Sequence, residues 1–281
     1  MSKNFKEKFA FTILALITMC VIIPALFIFS YIIYNGIGTI SLEFIFSAPR
    51  RGMTEGGIFP AIVGTMSLIL GTIVFALPLG VGTAIYLVEY AKKNLLTKLI
   101  SLAILNLAGV PSVVYGLFGL GLFVLLLGFG SSILSGALTL SCLILPIIIK
   151  SSEAAIKSVP NIYREASLAL GATKWQTIYK VVLPTAMPGI ITGAILGIGR
   201  AAGETAAILL TVAAFFLPRL PNSIMDQVMV LSYHLYIISS QVPGMPDAIK
   251  NGTALVLLGV VGIFFFVATV VRIRYKLANR E

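Results

Sequence analysis

The chain has 281 residues, 58% of them hydrophobic and 11% charged, with a formal charge of +10. A water-soluble domain cannot hide that much apolar surface, so the composition specifies an integral membrane protein. The Lys and Arg residues sit in short segments between long apolar runs, which orients a chain in a bilayer and argues against nucleic-acid binding.

Crossing the hydrocarbon core takes roughly 20 apolar residues as a helix, and six runs of that order define an all-α polytopic protein with one transmembrane domain over 1–281. The first run, 9–34, follows Lys3, Lys6 and Lys8 as a signal peptide would. It is too long for an h-region and lacks a small-residue cleavage site, so it is expected to stay as an anchor. The second is 60–88, with an interruption expected at Pro78 and Gly80. The third is 99–127, interrupted at Gly109 and Pro111. Broken membrane helices are tolerated where the freed backbone is buried or lines a cavity, so Asn106, Ser112 and Tyr115 either offer hydrogen bonds to a passing anion or pack inside the bundle. The fourth run is 133–149, and a connection over 150–184 leads to the fifth, 188–214. An outer connection over 215–251 precedes the sixth, 254–271. With the N-terminus in the cytoplasm, fifteen Lys and Arg lie inside, against Arg50, Arg51, Arg219 and Lys250 outside, which places both ends inside. Cys20 and Cys142 fall within apolar runs and His234 is the single histidine, so no disulfide framework, metal site or cofactor is indicated.

Two connections carry structure of their own. PNIYREASLALGATKWQTIYKVVLP (160–184) reads as two short helices: Pro160 opens the first and Gly171 caps it, with Ile162, Ala166, Ala169 and Leu170 near one face. In the second, Thr173 and Gln176 have capping-box spacing, Trp175, Ile178, Tyr179 and Val182 form an apolar stripe, and Pro184 breaks the run. Such a knob suits docking. On the outer side, 222–239 places Ile224, Val228, Leu231 and Leu235 at helical spacing behind Ser223, which predicts an amphipathic surface helix with His234 among its polar residues. Arg50 and Arg51 either draw anions to the outer mouth or are simply solvated.

GRAAGETAAILL (199–210) is membrane-like apart from Arg200 and Glu204. At 1.5 Å per residue Arg200 lies roughly 20 Å along the fifth run, near the midplane. Its burial costs from about 3 to 10 kcal/mol or more and requires a partner, water or a protein-lined cavity. On a continuous helix Gly189, Gly193, Gly197, Arg200, Glu204, Ala207 and Thr211 share one sector of roughly 80°. The charges therefore face a close helix contact or an internal space. A guanidinium fork suits a tetrahedral oxyanion, and Glu204 then neutralises Arg200 between turnovers. The competing reading is a structural ion pair, although Arg before Glu at i, i+4 is the weaker order. The chain has no G-x-x-x-x-G-K-[ST], H-E-x-x-H or G-x-S-x-G, so it is read as no enzyme and energy must enter from outside.

EASLALGATKWQTIYKVVLP resembles the EAA loop of ABC-importer permeases, and Glu165, Ala166, Gly171, Leu183 and Pro184 match its spacing. Ser167 replaces the second Ala and Val181 an Ile. A literal Glu-Ala-Ala at 153–155 lacks the Gly and Pro, since Val159 and Ala172 stand there, and is a decoy. GGIFPAIVGT (56–65), ALPLGVGTAIYLVEY (76–90), AGVPSVVYGLFGLGLF (108–123) and GRAAGET (199–205) are similar to phosphate-importer permeases of the PstA and PstC types. Thr205 follows the phosphate pattern where sulfate and molybdate permeases tend to carry Phe, and the short chain is more like PstA. The resemblance implies type I permease architecture in a prokaryotic inner membrane. Its implied partners are a PstC-type permease, a PstB-type ATP-binding dimer docked on the loop, a PstS-type phosphate-binding protein and membrane lipid. It also implies an outer connection that serves as gate and landing surface, and the substrate pathway is expected at Arg200, Gly203, Glu204, Thr205, Ser112 and Tyr115. Rival readings are a permease for another oxyanion such as sulfate or molybdate, a self-contained channel or proton-coupled transporter, and an intramembrane enzyme. The last is weakened by the lack of a nucleophile and base pair in the spans.

Overall fold

The computed structural model describes residues 3–278, with side chains for Phe9 and 11–275. The side-chain charges at Lys3, Lys6, Lys8, Lys276 and Arg280, and the outermost limits of the 1–281 domain, lie outside the described residues. In chain order the helices are α1 (Lys3–Gly36), α2 (Leu42–Phe46), α3 (Phe59–Ile85), α4 (Leu95–Leu107), α5 (Ser112–Gly119), α6 (Ile133–Lys157), α7 (Asn161–Ala169), α8 (Lys174–Thr177), α9 (Leu183–Gly203), α10 (Ala206–Leu209), α11 (Leu231–Ser240) and α12 (Asp247–Ala278). One small antiparallel hairpin, β1 (Pro49–Arg50) with β2 (Glu55–Gly56), interrupts the all-helical pattern. Its tip holds Arg51 and Met53 at positive φ, with Met53 buried. Arg51 pairs with Glu55 at 2.6 Å, both exposed.

Among the described residues, five helices are long and apolar enough to cross a membrane, and a bent pair supplies a sixth. Side chains at several helix starts accept the first free amides: Asn94 from Thr97 N–H and Ser132 from Ser135 N–H. The core is α3 against α6 against α9. Leu68, Leu140, Leu143, Ile144 and Ile148 are buried there, and the Ser141 hydroxyl donates to the Thr72 carbonyl at 3.0 Å across the α3–α6 contact. The small face of α9 meets α6 closely. A Cβ at Gly189 would come 2.5 Å from that of Ala155, and Gly193 stands directly over Ser151. The glycines therefore serve helix contact, not free volume. Helix α12 covers α9, and α1 lies on α12 with most of its apolar surface exposed.

Several helices depart from their expected limits. Helix α3 passes through Pro78 and Gly80 without a break, and the irregularity falls later, in a π-turn at Tyr86–Tyr90. The third run does break where Gly109 and Pro111 stand, with Leu95–Leu107 and Ser112–Leu126 at 102° to one another. Pro184 does not end a helix: the run continues from Lys174 to Gly203 through a π-turn at Ile178–Val182. Leu183 N–H reaches the Ile178 carbonyl five residues back, a widened turn that prepares the chain for the proline ring. The fifth helix is thus 174–203 in place of 188–214.

The expected outer helix at 222–239 is also displaced. It begins only at Leu231, after an irregular stretch in which Asp226 accepts the amides of Asn222 and Ser223. Leu231, Ser232, Tyr233, His234, Ile237 and Ile238 are buried, so α11 is a wall of the core and does not rest on the surface. His234 is 3% exposed with Nδ1 unpartnered, and burial pushes its pKa from 6.5 down to about 4. The expected stripe is not one helical face: Ile224 is exposed and, with Val228, lies ahead of the helix, while Leu231 is buried and Leu235 half-buried within it.

Candidate functional site

Helix α9 stops at Gly203, and Glu204 takes extended backbone angles, φ −68° and ψ 135°. Glu204 is therefore not one helical turn beyond Arg200, and Ala207 and Thr211 do not continue the α9 face. Among the described residues no ion pair joins Arg200 to Glu204. The expected i, i+4 pair is corrected on this geometry. Glycine weakens the helix at 203, and tertiary bonds then hold the chain in its new path. The Ser232 hydroxyl donates to the Glu204 carbonyl at 2.8 Å, and Ser132 N–H to the Thr211 carbonyl at 3.0 Å. Ala201, Ala202, Ala207, Ile208, Thr211 and Val212 on either side are buried, while Gly203 at the break is exposed and Glu204 and Thr205 are half-buried; a membrane chain tolerates freed backbone where it is buried in protein or lines a cavity.

A second break lies beside the first. Helix α5 packs on α10 so closely that a Cβ at Gly116 would come 3.0 Å from the Cα of Ala207. Tyr115, the preceding residue, is buried and its hydroxyl donates to the Leu107 carbonyl at 2.8 Å, tying the α4–α5 bend together. Its hydrogen is thus committed to the fold. Ser112 opens α5 half-buried, and Asn106 is exposed. Arg200 is half-buried and has no hydrogen-bond or ion-pair partner among the described residues. Gly203 is exposed with open space where a Cβ would stand, and Thr205 opens α10. A cavity of about 390 Å³ lies next to this junction, lined by Leu107, Val110, Val114, Tyr115, Phe118, Cys142 and Leu145. It is apolar, and Arg200 is not among its lining residues.

The far end of the same helical run carries the loop knob. Helix α7 follows Pro160, Gly171 takes φ +82° just beyond its C-cap, and Thr173 and Gln176 form both halves of a capping box. Glu165, Ala166 and Gly171 are exposed, as are Ile162, Leu168, Leu170 and Trp175, with Leu170 at 89%. Trp175 stacks on Tyr179 at 6.5 Å and 18°. Large apolar side chains grouped on a polar loop mark an interaction surface. Leu183 and Pro184 are half-buried at the foot of α9 and do not share that surface, while Ile178 and Val182 of the expected stripe are buried beneath it. At the decoy motif, the Glu153 carboxylate is held by Lys150 and Lys157 on the last turns of α6.

The sequence reading missed one cluster here. Arg164 binds Glu89 at the end of the α3 run, with Nη2 to Oε1 at 2.9 Å. The charged residues that close the YLVEY stretch and precede Glu165 were its only signal.

Taken together, a bundle of membrane-length helices, two adjoining helix breaks and an apolar knob on a short loop define a polytopic permease subunit. The family described as "Binding-protein-dependent transport system inner membrane component" matches residues 76–280, and the chain belongs to it. The chain is 38% identical over 279 residues to a probable ABC transporter permease protein, YqgI, of Bacillus subtilis (strain 168), with 94% of each chain covered. It is 33% identical over 283 residues to the probable phosphate transport system permease protein PstA of Methanocaldococcus jannaschii, covering 99% of this chain and 95% of that one. With phosphate transport system permease protein PstA 1 of Mycobacterium tuberculosis it shares 43% identity over 157 residues, 56% of this chain and 51% of the other. The fold is that of solved ABC-importer permeases. A bacterial alginate ABC transporter in complex with its periplasmic protein aligns with TM-score 0.68 at 16% identity, covering 95% and 94% of the chains. The MetNI methionine ABC transporter aligns with TM-score 0.57 at 20% identity, covering 78% and 94%. Permeases of this family are not themselves enzymes and act with a substrate-binding protein and an ATPase.

Proposed function

We propose that the chain is the PstA-type transmembrane subunit of an ATP-driven inorganic phosphate importer, in which Arg200 meets the phosphate oxyanion and the α7–α8 knob docks on the ATPase. The observation that carries this reading is the half-buried Arg200 guanidinium, without an anionic partner among the described residues and beside two helix breaks, in a chain similar along its length to a probable phosphate transport permease. A planar fork with unused donors binds a tetrahedral oxyanion by charge-assisted bonds. Glu204, Gly203, Thr205 and Ser112 complete the path at the two breaks, and Tyr115 shapes it by closing the bend. Glu165, Ala166 and Gly171 make the docking contact, with Leu183 and Pro184 at its base.

In the proposed cycle a PstS-type protein delivers phosphate outside, and closure of a PstB-type ATPase pair pushes this knob and that of a PstC-type partner together. Hydrolysis in that pair reverses the change. Differential affinity of the two states for the loaded binding protein biases the cycle. The charge asymmetry of fifteen against four supports both termini in the cytoplasm.

The test is uptake by the complete transporter in proteoliposomes. Arg200→Ala is expected to lower phosphate uptake at least roughly a hundredfold, since two charge-assisted bonds worth about 1.5–3 kcal/mol each are lost, while assembly and basal ATP hydrolysis persist. Uptake at the parental rate, or competition by sulfate as effective as by phosphate, would refute the assignment.

A further inference from the structure

The Glu89–Arg164 pair joins parts of the chain that the loop motif does not connect. Helix α7 is linked to α6 through 158–160 and to α8 through 170–173. Those short linkers alone leave a nine-residue helix able to rock about its ends. Arg164 removes that freedom on two sides. Its Nη1 donates to the Val159 carbonyl at 2.7 Å and its Nη2 to the Ile156 carbonyl at 2.9 Å, binding α7 back to the end of α6. Its Nε and Nη2 also donate to Glu89 Oε1 at 3.1 and 2.9 Å.

Glu89 stands in the π-turn that finishes the α3 run, and it is gripped a second time. Lys174, on α8, donates from Nζ to the Glu89 carbonyl and sits 4.5 Å over the Tyr90 ring. The Ser167 and Thr177 hydroxyls, 2.9 Å apart, tie α7 to α8. The Arg164 and Glu89 side chains are only 16% and 10% exposed. An ion pair so withdrawn from water contributes little net stability when intact, yet fixes its two segments firmly, because parting them strands a charge.

Through its linkers and the Ser167–Thr177 contact, a push on α7 reaches α6 and the α8–α9 run. The Glu89–Arg164 pair adds an off-axis attachment that passes the push to α3 as well, and α3 runs the length of the bundle against α6. We infer that Glu89 and Arg164 form the joint through which displacement of the coupling helix reaches the α3 run. The inference rests on the docking reading above. Neither residue touches substrate: both are positioning residues.

The test uses the complete transporter in proteoliposomes, reading phosphate transported per ATP hydrolysed together with retention of the ATPase subunit on purification. Glu89→Gln and Arg164→Gln are each expected to lower the ratio roughly tenfold with the ATPase retained. The reciprocal variant E89R/R164E is expected to recover most of it. A second measurement places spin labels at Y86C and I162C, both exposed positions, with Cys20 and Cys142 replaced. Their spacing is expected to stay constant between nucleotide-free and ATP-bound states with the native pair, and to vary between them in E89Q. An unchanged ratio with unchanged spacing in E89Q overturns the joint, as does loss of the ATPase that the reciprocal variant fails to restore. Cross-linking from I162C to the ATPase separates the two ideas. If that cross-link fails in the otherwise native chain, docking and joint fall together, and if it forms while the E89Q ratio is unaltered, the joint alone falls.

Discussion

The run from Lys174 to Gly203 is held in opposite ways at its two ends. At the Lys174 end, Arg164, Glu89 and Lys174 are bound to one another and to backbone carbonyls, while the apolar side chains of the knob stand in the open. At the Gly203 end Ala201, Ala202, Ala207 and Ile208 are buried while the charges are unengaged, with Arg200 and Glu204 making no side-chain bond among the described residues. A surface that must pass on force needs its internal joints closed and its outer face free. A site that must receive an anion needs its positive group uncommitted, since a guanidinium already paired would have to lose that bond before binding. In the proposed cycle the helix between them links the two ends.

Three perturbations sharpen that contrast beyond the loss of uptake expected from Arg200→Ala. The largest is Gly171→Pro, which demands φ near −65° where the chain holds +82°. It is expected to collapse the knob and leave ATP hydrolysis running with little phosphate moved, as read by the transport-to-hydrolysis ratio. Normal coupling would show that the knob tolerates a different shape.

The second concerns α11, which braces the other end through Ser232. His234 is kept neutral by burial, with a folded pKa of about 4 against 6.5 unfolded. Because the folded pKa is lowered, the unfolded chain takes up more protons between those values. The stability tied to His234 is therefore fully present above pH 6.5 and is lost as pH falls toward 4. The total is about 3 kcal/mol. Thermal unfolding at pH 7 and pH 5 is expected to show that loss in the parent and a flatter response in His234→Gln. Equal slopes in both proteins would mean that the imidazole has access to water.

The smallest expected effect is the coupling between Arg200 and Glu204. A double-mutant cycle of R200A and E204A on unfolding free energy should be additive within about 0.5 kcal/mol, because no bond joins them. An interaction above about 1.5 kcal/mol would restore the ion pair and close the difference between the two ends.

What could be read from the residues follows the same division. The knob was legible because its determinants are local: a proline before α7, a glycine after it, and a threonine and glutamine three apart. The bend at Gly109 and Pro111 was legible for the same reason. The interruption expected at Pro78 and the stop expected at Pro184 were misplaced, since a proline inside a packed membrane helix is accommodated by a widened turn or by neighbouring helices. The Glu89–Arg164 pair was invisible because nothing in the local pattern relates residues 75 positions apart.

The membrane class, the number of long apolar runs, the two-helix loop and the arginine in the fifth run are written in composition and short-range spacing. Hydropathy and capping act over a few turns of one segment, so one segment suffices to reveal them. Where α9 ends, how α11 comes to be buried, and that Arg200 and Glu204 part company were decided by the assembled bundle. The Thr211 and Glu204 carbonyls freed at that break accept from Ser132 and Ser232, which the fold brings in from distant parts of the chain.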